Sequence, residues 1–275
     1  MTAALRVEGL SISFGGLKAL DDLSFTVNER EVFGLIGPNG AGKTTVFNCV
    51  TQFYRPDAGA VFFRVDPQRL AKNATKADTE DGELNLVGRP VHSIIRQGLV
   101  RTFQNVEVIP ELSLIDNVLI GGHVDFTASM FSQMFRLPRA RKEERAYRDK
   151  AMAALRFLKI DHLANSLTGG QPYGVRKKLE MARTLMAEPT LIILDEPAAG
   201  LNDAETEDLA GIISQIRDDY QCAVLLVEHD MGLVMNVCDR ICAISFGKFL
   251  ALGTPAEIQQ DAAVHEAYLG ERDDD

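Results

Sequence analysis

A short apolar run, Val32-Phe-Gly-Leu-Ile36, leads directly into Gly37-Pro-Asn-Gly-Ala-Gly42-Lys43-Thr44-Thr45. No other segment limits so sharply what this chain can become. A nearly all-apolar run of that length suits a strand buried on both faces, as in a parallel sheet. Residues 42–52 after it read as a helix. The glycines between strand and helix permit a tight loop whose backbone N–H groups converge, and the first amides and dipole of the helix add to that cradle. It fits phosphate oxygens, with Asn39, Gly40, Ala41, Gly42 and Thr45 as candidate contacts. Lys43 reaches toward the terminal phosphates, and the Thr44 hydroxyl is a candidate ligand for Mg²⁺. The competing reading, a glycine-rich turn with a chance lysine, leaves the flanking strand and helix unexplained.

A second segment, Leu191-Ile-Ile-Leu-Asp195-Glu196-Pro197, has four apolar residues ending in two acids. This reads as a strand whose carboxyl end presents Asp195, the end at which α/β sheets bind ligands. Asp195 would hold a metal, and Glu196 would polarise a water for attack on a terminal phosphate. Alone, two acids after an apolar run describe an ordinary solvated strand end. Paired with a phosphate loop they describe nucleotide hydrolysis.

Strand and helix patterns alternate elsewhere. Residues 5–14 and 23–27 alternate apolar and polar positions, and 223–227 is another apolar run. Residues 201–217 and 231–237 read as helices, and 136–150 as a charged, solvated one. The expected fold is α/β with a parallel core sheet. Between Asp66 and Glu83 large apolar residues become scarce, and we read the segment as an exposed insertion. The chain's 275 residues carry a formal charge of −10, which argues against a nucleic-acid binder with a basic face. No run reaches the roughly 18 apolar residues of a membrane span, and no signal-peptide pattern opens the sequence. A soluble, cytoplasmic chain is expected. Cys49, Cys222, Cys238 and Cys242 read as small buried side chains in a reducing compartment, since only His229 lies near enough to suggest a metal.

With these motifs in place, and with Gln104 between them in Arg101-Thr-Phe-Gln104 and His229 beyond in Val227-Glu-His-Asp230, the chain resembles the ATP-binding subunits of ABC transporters. The likeness runs over nearly the whole chain. It implies a P-loop NTPase fold of the ABC nucleotide-binding type: a core at 1–100 and 166–275 that includes an N-terminal antiparallel β subdomain, and a helical subdomain at 105–165. It further implies that Gln104 senses the metal and links to the membrane subunit, that His229 contacts the γ phosphate, and that Phe14 stacks on adenine. Gly200-Leu-Asn202-Asp203 matches the loop that crosses the dimer interface, although the family often has Asp in place of Asn202. Within the superfamily the sequence is most similar to branched-chain amino-acid importers, through Phe14–Leu20, Arg101–Gln104, Tyr173–Arg183 and Ala198–Asn202. Arg30, where glycine is usual, and Arg176, where glutamine is frequent, depart from that group.

The resemblance also implies a signature loop that binds ATP across a dimer. Leu167-Thr-Gly-Gly-Gln171 looks like that loop at sight. The family's spacing back from Asp195 instead gives Gln171-Pro-Tyr173-Gly174-Val175, followed by a helical stripe of Val175, Leu179, Ala182 and Met186. A four-residue shift turns a helix only slightly, so both registers stay open, with 171–175 preferred. The function implied is ATP hydrolysis, with ATP and Mg²⁺, that powers an importer for branched-chain amino acids or related amides. Its partners would be two membrane permease subunits, a second ATPase subunit in a homo- or heterodimer, and indirectly an extracytoplasmic binding protein, with no nucleic acid. The chain would sit at the cytoplasmic face of the membrane. Two alternatives keep the ATPase chemistry: a soluble ABC ATPase acting on nucleic acid or ribosomes, and the ATPase of a lipid or lipopolysaccharide exporter.

Overall fold

The computed structural model describes residues 2–67, 69, 79–102, 108–121 and 138–269. These fall into two compact units, Met1–Arg101 with Thr190–Asp275, and Thr102–Pro189.

In chain order the first unit contains β1 (Ala3–Phe14), β2 (Leu17–Asn28), β3 (Val32–Ile36), α1 (Lys43–Val50), β4 (Ala58–Arg64), β5 (Thr79–Glu80), β6 (Glu83–Asn85), α2 (Val91–Arg96) and β7 (Leu99–Arg101). The second unit supplies α3 (Leu114–Gly121), α4 (Pro138–Phe157) and α5 (Tyr173–Leu185). The chain then returns to the first unit with β8 (Leu191–Asp195), α6 (Asp203–Asp219), β9 (Ala223–Val227), α7 (Met231–Val237), β10 (Arg240–Ser245), β11 (Lys248–Gly253), α8 (Pro255–Gln260) and α9 (Ala262–Leu269).

Six strands form the core sheet in the order β11-β10-β3-β9-β8-β7. All neighbours run parallel except β11, which closes one edge antiparallel. Every residue of β3, β8 and β9 is buried, as uninterrupted apolar runs require when helices cover both faces. The second sheet, β2-β1-β4-β6-β5, is antiparallel. Its β1 alternates as a half-buried strand should, but the buried phase shifts from Leu5 and Val7 to Leu10 and Ile12 where its register with β2 also shifts.

Expected element positions hold with adjusted ends. The helix read over 201–217 starts at Asp203 because Asn202 caps it: its side chain accepts from the Glu205 amide at 3.0 Å while Glu205 accepts from the Asn202 amide at 3.1 Å. The charged helix read over 136–150 extends to Phe157, as Ala151, Ala154 and Leu155 give it a buried face. Arg30 has φ 57°, a left-handed conformation that accounts for the glycine usual there. The four cysteines are free and buried, and burial pushes the thiols up to about 11 for Cys49 and about 12 for the other three.

Two expectations change. Residues 68 and 70–78 of the Asp66–Glu83 insertion lie outside the described residues. The end of the insertion, however, is built into the antiparallel sheet: β5 pairs with β6, β6 pairs with β4, and the Glu83 carboxylate accepts from Arg6 Nη2 at 2.7 Å. The helical unit also runs to Pro189 rather than to 165. The reason is α5, which packs on α3 and α4. A Cβ at Gly121 of α3 would lie 2.4 Å from the Arg183 carbonyl oxygen, so only glycine permits this approach. Within this unit Asn117 is fully buried, donating to Ile109 O, Ser113 O and Thr168 Oγ1 and accepting from the Ile109 amide. Among the described residues no helix is long and apolar enough to cross a membrane.

Candidate active site

The candidate residues of the first unit, Phe14 apart, lie at the carboxyl ends of β3, β8 and β9. Gly37 follows β3, and a Cβ there would sit 2.3 Å from the Ile244 carbonyl oxygen, so the loop can leave the sheet here only as glycine. The Ala41 amide donates to Pro38 O at 3.1 Å, which curls the loop. Gly42, left-handed at φ 102°, starts α1 without a capping side chain, and the first turn of α1 has no acid. The amide end of this helix therefore faces the loop with its dipole uncompensated from within. Asn39 and Gly40 are exposed at the tip, Ala41 is buried, Thr44 is exposed and Thr45 half-buried. Lys43 lies along the loop, its ammonium donating to Gly37 O at 2.5 Å and Pro38 O at 2.8 Å.

Asp195 ends β8 and is buried. Its Oδ2 accepts from Arg101 Nη2 at 2.6 Å, while Arg101 Nη1 donates to Asn48 Oδ1 of α1 at 2.7 Å. The Arg101 guanidinium also lies 5.6 Å from the Phe47 ring centroid. Sequence reasoning quoted Arg101 only as a flank of Gln104 and did not foresee this link between β7, β8 and α1. Gln104 itself lies outside the described residues.

Glu196 follows at φ 47°, a conformation that costs a non-glycine residue about 1–3 kcal/mol and clusters at functional sites. Its amide donates to Val227 O at 2.9 Å, which binds the exit of β8 to the end of β9. The two residues expected to act on the γ phosphate are brought together: Glu196 Oε1 and His229 Nε2 are 2.8 Å apart. A carboxylate paired with a part-exposed imidazole can take up and pass on a proton. Neighbouring Glu228, which sequence reasoning passed over, is 4% exposed. Its Oε1 accepts from the Ala198 amide at 2.6 Å, and its Oε2 from the amides of His229 at 2.9 Å and Asp230 at 3.3 Å. Burial pushes the Glu228 carboxyl up, and these three N–H groups pull it back. The signal in the sequence was an acid directly after an all-apolar strand.

Phe14 ends β1, 45% exposed, with its ring edge-on to Tyr54 at 5.2 Å. In the second unit Thr168–Gly170 form a 3₁₀ turn, Pro172 caps α5, and the helix begins at Tyr173. Gly174 is thus the second helical residue, and it is buried. The helix starts one residue before Gly174 rather than just after it. Pro172 stands at the cap, where its missing N–H costs nothing. Among the described residues no cluster of three or more His, Cys, Asp or Glu could hold a metal.

Comparison with known proteins places the chain in a family. Residues 20–199 match the family model described as ABC transporter, and residues 250–274 match that described as branched-chain amino acid ATP-binding cassette transporter. The chain is 42% identical over 267 residues to the high-affinity branched-chain amino acid transport ATP-binding protein BraF of Pseudomonas aeruginosa, covering 97% of this chain and 98% of that one. It is 32% identical to the lipopolysaccharide export system ATP-binding protein LptB of Escherichia coli, covering 98% of each. Among solved structures, the ADP conformation of MJ1267, an ATP-binding cassette of an ABC transporter, superposes with a TM-score of 0.79 at 29% identity, covering 98% of this chain and all of that one. The chain belongs to the ABC transporter ATP-binding family and is an ABC ATPase.

Proposed function

We propose that this chain hydrolyses ATP to drive an importer of branched-chain amino acids or related amides. The 2.8 Å contact between Glu196 and His229 beside the phosphate loop is the observation that carries the hydrolytic part. In this reading Asn39–Thr45 cradle the phosphates, Lys43 turns its ammonium from the loop carbonyls to the terminal phosphates, and Phe14 offers its exposed ring to adenine. Glu196 accepts the proton of the attacking water, and His229 holds both that carboxylate and the γ phosphate. The residues fit Mg²⁺: the Thr44 hydroxyl and one Asp195 carboxylate are hard oxygen donors, and a Mg²⁺ site commonly takes one or two carboxylates plus substrate phosphates. Bound there, the ion would neutralise charge on the phosphates; Gln104 is assigned beside it.

Two copies, or this chain and a sister ATPase, would enclose two nucleotides head to tail, with the Gly174 amide of one facing the phosphates of the other. Two membrane permease subunits would follow that closure at the cytoplasmic face, and an extracytoplasmic binding protein would deliver the cargo. Identity of 42% with BraF against 32% with LptB, together with the matched 250–274 tail, favours amino-acid import over lipopolysaccharide export. The test is uptake of labelled leucine, isoleucine and valine by cells whose own copy carries Glu196→Gln. Uptake should be lost. Normal uptake of all three with hydrolysis abolished in the purified variant would overturn the cargo, and undiminished hydrolysis would overturn the site.

A further inference from the structure

Glu228 and His229 directly follow β9, and both side chains reach the stretch that follows β8. His229 meets Glu196, and Glu228 meets the Ala198 amide two residues on. The two loops are therefore braced twice, with the Glu196 amide to Val227 O bond at their root. The Glu228 brace is the buried one, and among the described residues no lysine or arginine pairs with it. An unpaired buried carboxylate is costly to keep. Three backbone N–H donors offset that cost, and they come from both loops. From Ala198 the chain continues through tight turns, Ala199 N to Glu196 O at 3.2 Å and Leu201 N to Ala198 O at 3.0 Å, to the Asn202 cap of α6. The other loop is tied where Asp230 caps α7, accepting from the Leu233 amide at 3.0 Å, and the carboxylate is the cross-link between the two.

We propose that Glu228 is a positioning residue for hydrolysis, holding the loop that carries His229 against the segment that carries Glu196. This rests on the reading of Glu196 and His229 given above. One carboxylate serves both loops because each oxygen takes a different one. An amide at this position has a single acceptor oxygen and would turn an N–H toward the amides of the other loop. The loops would then separate by the small distances to which proton transfer is sensitive.

The test compares ATP hydrolysis by the wild type, Glu228→Gln, His229→Ala and the double variant, in whichever homo- or heterodimeric assembly hydrolyses ATP. Glu228→Gln should lower kcat about tenfold or more with KM for ATP within about twofold of wild type. The double variant should be no slower than His229→Ala alone, because a residue acting through His229 has nothing left to position. Glu228→Asp, which keeps the charge but is too short to reach both loops, should lose kcat in the same way, and it serves where Glu228→Gln does not fold. Wild-type kcat in either Glu228 variant, or a double variant slower by the product of the single effects, would overturn the proposal. Wild-type kcat in His229→Ala would instead overturn the catalytic reading beneath it.

Discussion

The parallel strands of the core sheet meet charged groups at both ends, and the two ends treat them differently. At the amino ends of β3 and β10 each charge is matched by a partner. Asp239 Oδ2 accepts from the Val32 amide at 2.8 Å, Arg217 pairs with Asp239 at 3.1 Å, and Arg240 pairs with buried Glu31 at 3.1 Å. Burial pushes the Glu31 carboxyl up, and the Asn28 amide and Arg240 pull it back. At the carboxyl ends of β3, β8 and β9 the groups are held by loops with residues in left-handed conformations: Gly42 at 102° and Glu196 at 47°. Lys43 is parked on carbonyls, and Glu196 and His229 share one part-exposed contact. One end joins strands together; the other, besides the Arg101–Asp195 pair that links β7, β8 and α1, holds part-exposed charge within reach of a ligand.

Variants should separate these roles. The largest effect is expected at Glu196→Gln, where turnover should fall about 10²–10⁴-fold while ATP still binds, since the amide keeps the shape but cannot act as a base. Lys43→Ala should weaken ATP binding about 10²-fold in equilibrium titration, because it removes a charged donor from the phosphates. Gly174→Asp should lower turnover about tenfold or more without changing ATP affinity of the monomer, by placing a side chain and a negative charge where, in the proposed dimer, the partner's nucleotide meets a helix start. Gly170→Asp should be milder, as open space surrounds a Cβ there. The reverse order would make 167–171 the signature loop. At the amino end, Asp239→Asn should cost about 1 kcal/mol in chemical denaturation and leave turnover intact, since it removes a part-exposed ion pair but keeps an acceptor for the Val32 amide. The smallest effect is expected at the cysteines: with thiols held at about 11 to 12 by burial, the native chain should take up no iodoacetamide at pH 8, and the unfolded chain should label fully.

The legibility of these regions in the sequence follows from how local their causes are. β3 and β9 were readable to the residue because unbroken apolar runs state double-sided burial directly. The phosphate loop was readable because its strand, glycines, lysine and helix are contiguous. A role for Glu196 follows from its place after an apolar strand and one for His229 from the family resemblance; that the two meet comes only with the pairing of β8 with β9. Arg101 and Glu228 were not readable, since what they do depends on which amide or carboxylate the fold brings opposite them. The extent of the helical unit was missed for a similar reason: α5 joins it by packing on α3 and α4, a tertiary choice that periodicity does not record.

In the proposed function catalysis resides at the carboxyl end of the sheet, while the charges at the amino end only anchor strands. The most direct test of this division measures ATP turnover and melting temperature side by side in Glu196→Gln and Asp239→Asn. Glu196→Gln should lose turnover and melt within about 1 °C of wild type, while Asp239→Asn should melt about 2–4 °C lower and turn over normally below its transition. Normal turnover in Glu196→Gln, or lost turnover in folded Asp239→Asn, would contradict the division.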